Sequence, residues 1–365
     1  MVNEYKEEIN KLVSRINPDF IDFSEERKHK NPPTMASSEF ITNRQQGDWA
    51  EDVILRAVNE ISRNLVAVKY GKSDNIVAGE DGFAKHYSDY QDELDTIGKR
   101  PDILLFKKSD YEELYGLDIS NEKLTDAFET YVSKAVAGIE VRSSSFLVNK
   151  YNEQEKRIVD EAIQNIFSIK EDILNNYLDL LQQKRPALIP VLEQLDEATV
   201  YVINICSCSW RSSQRLVELS DKLKDFRKNL KIIQSRTSLS LTPKVEDFKV
   251  VYTWIKKYGV PHYYVQVFFD KIYGISYKEI LELISNPELE DKDYFIESDT
   301  KNQNKTTVKI PVTVAPCIGA SLKEPRHYSV RKELSKGRLL FYVAFDGGEA
   351  FLDKKEFDTL FGCDL

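Results

Sequence analysis

The sequence predicts an α/β fold, and three observations carry the prediction. First, residues 245–257 place Phe248, Val251, Trp254 and Ile255 on one helical side, and Gly259 closes the helix. The apolar, aromatic run Pro261 to Phe269 follows, so a strand after a helix with covered faces belongs to an α/β core. Second, two short segments read as strands, Lys99 to Phe106 and Ala137 to Phe146, and each carries one carboxylate, Asp102 and Glu140. Third, residues 150–181 keep Ile158, Ala162, Ile163, Ile166, Ile169, Ile173, Tyr177 and Leu181 on a helical period, a long helix or two shorter ones.

Composition bounds what this fold does. The chain has 365 residues, 41% hydrophobic and 30% charged, enough for a sizeable core in one large domain or a domain with an insertion. No apolar run reaches membrane-spanning length, and residues 1–15 lack the apolar centre of a signal peptide, so a cytoplasmic setting is expected. Four cysteines do not make a disulfide scaffold, and Cys206 and Cys208 with distant Cys317 and Cys363 lack zinc-site spacing; they read as buried thiols. The net charge of -9 argues against a dedicated polyanion binder, but the charge is uneven. Residues 221–260 hold ten Lys/Arg against four Asp/Glu, and residues 323–338 hold six against two Glu. No phosphate-binding glycine loop, Gly-x-Ser-x-Gly elbow, zincin motif or zinc finger occurs.

The remaining elements follow in order. Ile9, Leu12, Val13 and Ile16 give a short N-terminal helix, and Lys30 to Ser38 breaks structure. A helix is expected from Thr42 or Gly47 to Ile61, its stripe Trp49, Ala50, Val53, Ile54, Ala57, Val58 and Ile61, with Glu51 near its start. Leu65 to Tyr70 reads as a strand, residues 71–98 as loops with a short helix, and residues 124–132 as helical. Ala198 to Cys206 reads as a strand, Ser212 to Leu223 as a helix, and Leu230 to Ile233 as a short strand or a helix end. Residues 273–290 read as a helix, Asn302 to Val314 and Leu339 to Phe345 as strands, and residues from Leu352 as a small helix.

The chemistry centres on residues 99–146. If the two acidic strands are neighbours, Asp102 and Glu140 converge on one divalent cation, and oxygen ligands suit Mg²⁺. A metal-activated water then suffices to hydrolyse a phosphodiester. A carboxylate inside Gly-Ile-Glu-Val needs a partner, and a bridge to Arg142, two residues on and on the same strand face, is the plain alternative. Glu246 and Asp247 read as charges favourably placed in a helix's first turn.

Pro101-Asp102, followed at a distance by Glu140-Val141-Arg142, resembles the PD-(D/E)xK nuclease core, and the wider pattern is similar to type II restriction endonucleases of the AccI-like kind. The resemblance covers residues 40–270. It implies a restriction-endonuclease-like mixed central sheet flanked by helices, with residues 147–237 as a large helical or mixed insertion. The organisation expected is an N-terminal helix and DNA-proximal loop over 1–40, a nuclease core over 41–290 interrupted by an insertion involved in target recognition, and C-terminal strands with a basic segment over 291–365. It implies Mg²⁺ held by Asp102, Glu140 and the Val141 carbonyl, and a third carboxylate from the helix before the sheet, Glu51, with Asp52 its rival. The sequence departs from the pattern where lysine is expected and Arg142 stands. Arginine clamps a phosphate well but does not deprotonate, so Lys244 is a second candidate for that role. Ser143, Ser144, Arg211, Gln214, Arg215, Arg236, Arg326 and Arg331 are the candidate DNA contacts. The implied activity is cleavage of double-stranded DNA at a short palindromic site, by a homodimer whose symmetry mirrors the site, in a system that also contains a DNA methyltransferase. A sequence-tolerant repair or recombination nuclease, and a non-catalytic DNA-binding protein on the same fold, are the alternatives.

Overall fold

The computed structural model describes residues 2–363 except 30, 73–75, 207, 236–237, 300–304 and 336. Lys30, Arg236, residues 302–304 and Lys336, named above, therefore lie outside the described residues. The chain divides into two compact units, residues 1–148 with 239–365, and residues 149–238.

The first unit opens with α1 (Val2–Val13), α2 (Ser38–Ile61), β1 (Leu65–Lys69), α3 (Phe83–Thr96), β2 (Ile103–Lys107), α4 (Asp126–Val132) and β3 (Ala137–Ser143). α2 starts earlier than the apolar stripe indicated, because the Ser37 hydroxyl accepts from the Phe40 N–H and caps it there. Glu51 consequently sits in the middle of this helix and not near its start. After α5 (Val148–Asn176), α6 (Leu178–Lys184), α7 (Leu188–Glu193) and α8 (Gln214–Gln234), the chain returns through β4 (Ser240–Leu241), α9 (Val245–Tyr258), β5 (His262–Val267), β6 (Ile272–Ser276) and α10 (Tyr277–Ile284). It ends in β7 (Phe295–Asp299), β8 (Lys305–Pro311), β9 (Cys317–Lys323), β10 (Arg326–Glu333), β11 (Leu339–Asp346), β12 (Glu349–Leu352) and α11 (Lys354–Phe361).

The central sheet runs in the order β1-β2-β3-β5-β6-β9-β12 and is mixed. β3 and β5 are parallel, Glu140 opposite Tyr264 and Arg142 opposite Gln266, while the other neighbours are antiparallel. A parallel pair needs a crossover, and α9 makes the last leg of it. Side chains alternate along each strand, so one face of the sheet is apolar. On it Ala67, Ile103, Leu105, Ala137, Ile139, Val141 and Val265 pack against Trp49, Ala50, Val53, Ile54 and Val58 of α2 and Phe357 and Phe361 of α11. Each fully buried Val, Leu, Ile or Phe among them stabilises the fold by about 1.5–3 kcal/mol, and each alanine by less.

Several sequence expectations change. Ala198 to Cys206 is not a strand: it holds a single 3-10 turn, Thr199–Tyr201, followed by irregular chain. The Asp196 carboxylate accepts from the Ala198 and Thr199 N–H groups, a local bonding that competes with extension. Of the two readings of Leu230 to Ile233 the helix end holds: it closes α8, with Leu223, Phe226, Leu230 and Ile233 all buried. Residues 273–290 begin as strand β6 because Ile272 to Ser276 pairs with β5; the Ser276–Glu279 capping box then starts α10. The basic segment 323–338 is largely β10, paired with β11 as a hairpin. The cysteines are not buried thiols: Cys206 is exposed, and Cys208, Cys317 and Cys363 are half-buried. Among the described residues no helix is long and apolar enough to cross a membrane.

The 149–238 unit is helical, as the insertion implied by the resemblance. Its own core joins Ala162, Ile166 and Ile173 of α5 to Leu181, Leu188, Leu192 and Val200, and to Leu219, Leu223, Phe226, Leu230 and Ile233 of α8.

Candidate active site

Antiparallel pairing of Ile103 with Ile139 sets Asp102 beside Glu140 at neighbouring strand positions. Both point away from the apolar α2 face, as do Arg142, His262, Tyr264 and Gln266. α9 covers this second face. Gly138 permits the cover: a Cβ there would lie 2.7 Å from Pro101 and 3.1 Å from Trp254 of α9.

The path into Asp102 is fixed by the backbone. Gly98 turns the chain at φ +81°, and a Cβ on it would fall 2.2 Å from the Val250 carbonyl oxygen. The Lys99 N–H donates to that same carbonyl at 2.9 Å, tying the strand entrance to α9. Farther on, the Asp102 carbonyl accepts from the N–H groups of Tyr70 and Gly71 at 2.8 and 3.0 Å. The Asp102 carboxylate itself accepts from the Val141 N–H at 2.7 Å.

Around Glu140 lies a dense charge cluster. Its Oε1 meets Lys99 Nζ at 2.6 Å and the Arg142 guanidinium at 2.5 Å. The same two cations reach Asp247 Oδ2 at 3.0 and 3.2 Å. Glu140 is fully buried, and its Oε2 has no hydrogen-bond partner among the described residues. Glu51 approaches from α2, with Lys69 at 3.8 Å.

Electrostatics separates these carboxyls. Burial pushes Asp102 well above the usual carboxylate range, and the charges of Glu140 and Glu51 push the same way. Burial also raises Glu51, to about 7, against the pull of Lys69. For Glu140 burial is opposed and outweighed by Arg142 and Lys99, which hold it below its ordinary value. Asp247 is held at about 2: burial works upward, and Lys99 and Arg142 more than reverse it. Lys99 stays protonated, since Asp247 and Glu140 overcome burial and the repulsion of Arg142. Burial lowers His262 to about 4, so it is neutral at pH 7.

The sequence-selected residues are thus partly gathered. Asp102, Glu140 and Arg142 are together, and Glu51 is within electrostatic reach of the first two. Lys244 is the N-cap residue of α9, bridged to Thr307, and its charge acts on Asp247. Ser143 ends β3, and just beyond it the Ser144 N–H donates to the Val267 carbonyl at 2.9 Å. Arg211 and Gln214 are exposed at the start of α8, where Arg215 is bound to Asp179 at 3.0 Å. Arg326 pairs with Asp346 at 2.8 Å and Arg331 lies 3.8 Å from Glu333. Arg236 lies outside the described residues.

Two members of the cluster escaped the sequence reading. Lys99 stands three residues before Asp102, where nothing in the spacing distinguishes it from a surface lysine. Asp247 was legible as a helix-terminal charge and is one, yet it also bonds both cations.

The donor set fits a hard divalent cation. Among the described residues no three His, Cys, Asp or Glu side chains gather as a metal-binding group. Mg²⁺, however, keeps several waters and is commonly held by one or two carboxylates plus substrate phosphate. The orphaned Glu140 Oε2 and the strongly raised Asp102 are what such a cation would satisfy.

A mixed central sheet flanked by helices, with a helical insertion, is consistent with the fold of the PD-(D/E)xK nuclease superfamily. Within it, a family model described as AccI restriction endonuclease matches residues 3–364, and the chain belongs to that family. Comparison with curated proteins and with solved structures gave no match.

Proposed function

We propose that this chain is a type II site-specific deoxyribonuclease, hydrolysing phosphodiester bonds of double-stranded DNA at a short palindromic sequence with Mg²⁺, as a homodimer in a restriction-modification system. The observation that carries the reading is the buried, half-unsatisfied Glu140 beside Asp102, with two fixed cations on its other oxygen. Asp102 and Glu140 would hold the Mg²⁺, with the Val141 carbonyl as a further oxygen and Glu51 as an outer carboxylate. Bound there, Mg²⁺ would supply an acidified water and charge neutralisation at the phosphate.

Each residue of the chain has a task in this reading. Lys99 takes the place that the pattern gives to lysine, although it arrives from the connection between α3 and β2 and not from β3. Its ammonium holds Glu140 ionised and lies where negative charge develops on the phosphate. Arg142 offers the remaining N–H groups of its guanidinium to phosphate oxygens. Asp247 fixes both cations by taking a hydrogen bond from each. His262 and Tyr264 keep water from the back of Glu140.

Incubation of the purified chain with unmodified phage DNA, with Mg²⁺ or EDTA, tests the proposal. Discrete fragments only with Mg²⁺, abolished by Asp102→Ala, are expected. A smear would remove site specificity, and intact DNA with a gel shift would leave a binding protein.

A further inference from the structure

The helical unit contains a groove that the nuclease reading does not use. It lies between the irregular segment 201–205 and the C-terminal half of α8, with a volume of about 920 Å³. Lys224, Arg227, Lys228 and Lys231 line it, at positions i, i+3, i+4 and i+7 of one helix face, and all four are exposed. No Asp or Glu lines it, in a chain whose net charge is -9. Asp221, one helical turn before Lys224, holds its ammonium at 2.7 Å.

The opposite wall is built and not merely open. Gln234 Nε2 donates to the carbonyls of Val200 and Ile203 at 3.2 and 2.7 Å, pinning the segment against α8. Pinned in this way, Tyr201 and Val202 stand 51% and 81% exposed at the groove. An exposed tyrosine and valine facing a row of cations suit a ligand with regularly spaced negative charge and apolar edges.

Dimensions narrow the ligand. From Lys224 to Lys231 the helix advances about 10 Å at 1.5 Å per residue. Duplex DNA advances about 3.4 Å along its axis per phosphate of one strand, so the row of cations and the strand's charges repeat on the same scale of length. We propose that this groove, and not the 210–215 turn where the sequence placed its candidates, is the surface by which the helical unit grips the phosphate backbone of duplex DNA. The turn is the poorer site because Arg215 is bound to Asp179 and to the Asn176 carbonyl. The inference takes duplex DNA as the ligand from the proposed function but does not require cleavage.

The test reads binding alone. Fluorescence anisotropy of the full chain with a 30-bp mixed-sequence duplex (about three turns at ~10.5 bp each), in EDTA, is followed across a salt series. Each lost phosphate contact lowers the slope of log K against log salt by about 0.9. Lys228→Gln with Lys231→Gln is expected to reduce the slope by about 2, with unchanged circular dichroism and Tm. Arg211→Gln with Arg215→Gln is the comparison. An unchanged slope in the lysine pair, or a fall confined to the arginine pair, overturns the proposal; so does displacement of the wild-type chain's DNA by polyglutamate at equal charge concentration. Failure of the nuclease reading shows separately, as absent cleavage with the lysine-dependent slope intact.

Discussion

At the scale of single residues, the charge cluster makes unequal demands on its members. Glu140 is buried and shared between Lys99 and Arg142, so removal of one cation leaves a partly compensated buried charge. Lys99→Met should cost about 3 kcal/mol of stability and about 10²–10³-fold in kcat. Combined with Glu140→Gln the stability losses should fall short of their sum, because the second change removes the charge that the first exposed. Chemical denaturation of the four proteins of this cycle measures the coupling, and strict additivity would detach Lys99 from Glu140. Glu51 gives a prediction in pH. Its folded pKa, about 7, lies above the ordinary 4.5. The folded state therefore binds the Glu51 proton more tightly than the unfolded state does, and its contribution falls as pH rises from 4.5 to 7. In EDTA, Glu51→Gln should flatten the decline in stability across that window, by about 3 kcal/mol at most at 1.4 kcal/mol per unit. Asp247 has the opposite sign: held near 2, it stabilises above its ordinary value of 3.8 and loses that contribution as pH falls toward 2. Equal pH profiles for wild type and Glu51→Gln would show that Glu51 is not the group involved.

At the scale of elements, Gly98 links α9 to the site. A side chain at this position meets both the left-handed backbone and the Val250 carbonyl. Gly98→Ala should lower stability by about 2 kcal/mol or more and reduce cleavage further than the loss of fold explains, because Lys99 follows directly. Activity normalised to folded protein, read at low temperature, separates the two effects. The elements also show what could be read from the chain. β2, β3, α9 and β5 were legible, since each places apolar residues at one clear period between turn signals. β6 was not: Ile272 to Ile284 keeps apolar residues throughout, and only pairing with β5 makes its first five residues extended. Ala198 to Cys206 failed in the other direction, its β-branched run being overridden by the Asp196 turn. The carboxylates Asp102 and Glu140 announced themselves by their position in apolar strands, whereas Lys99 and Asp247 acquire their places only from the fold.

At the scale of the whole molecule, each compact unit has its own buried core. Two cores in one chain permit separate unfolding transitions. Leu223→Ala, inside the helical core, should cost about 2–5 kcal/mol and lower one calorimetric transition; Ile139→Ala should lower the other. A single transition shifted alike by both changes would mean that the units unfold together.

One feature of β5 has a meaning beyond the chemistry. Among the described residues, both ring nitrogens of His262, the Tyr264 hydroxyl and Glu140 Oε2 are buried without a hydrogen-bond partner, on the same side of the sheet. Each unpaired polar atom of this kind costs about 1–3 kcal/mol. Single-step mutation offers leucine at 262 and phenylalanine at 264, and either would make a drier, firmer molecule. The polar atoms at these two positions are therefore a standing cost in stability that packing alone does not require.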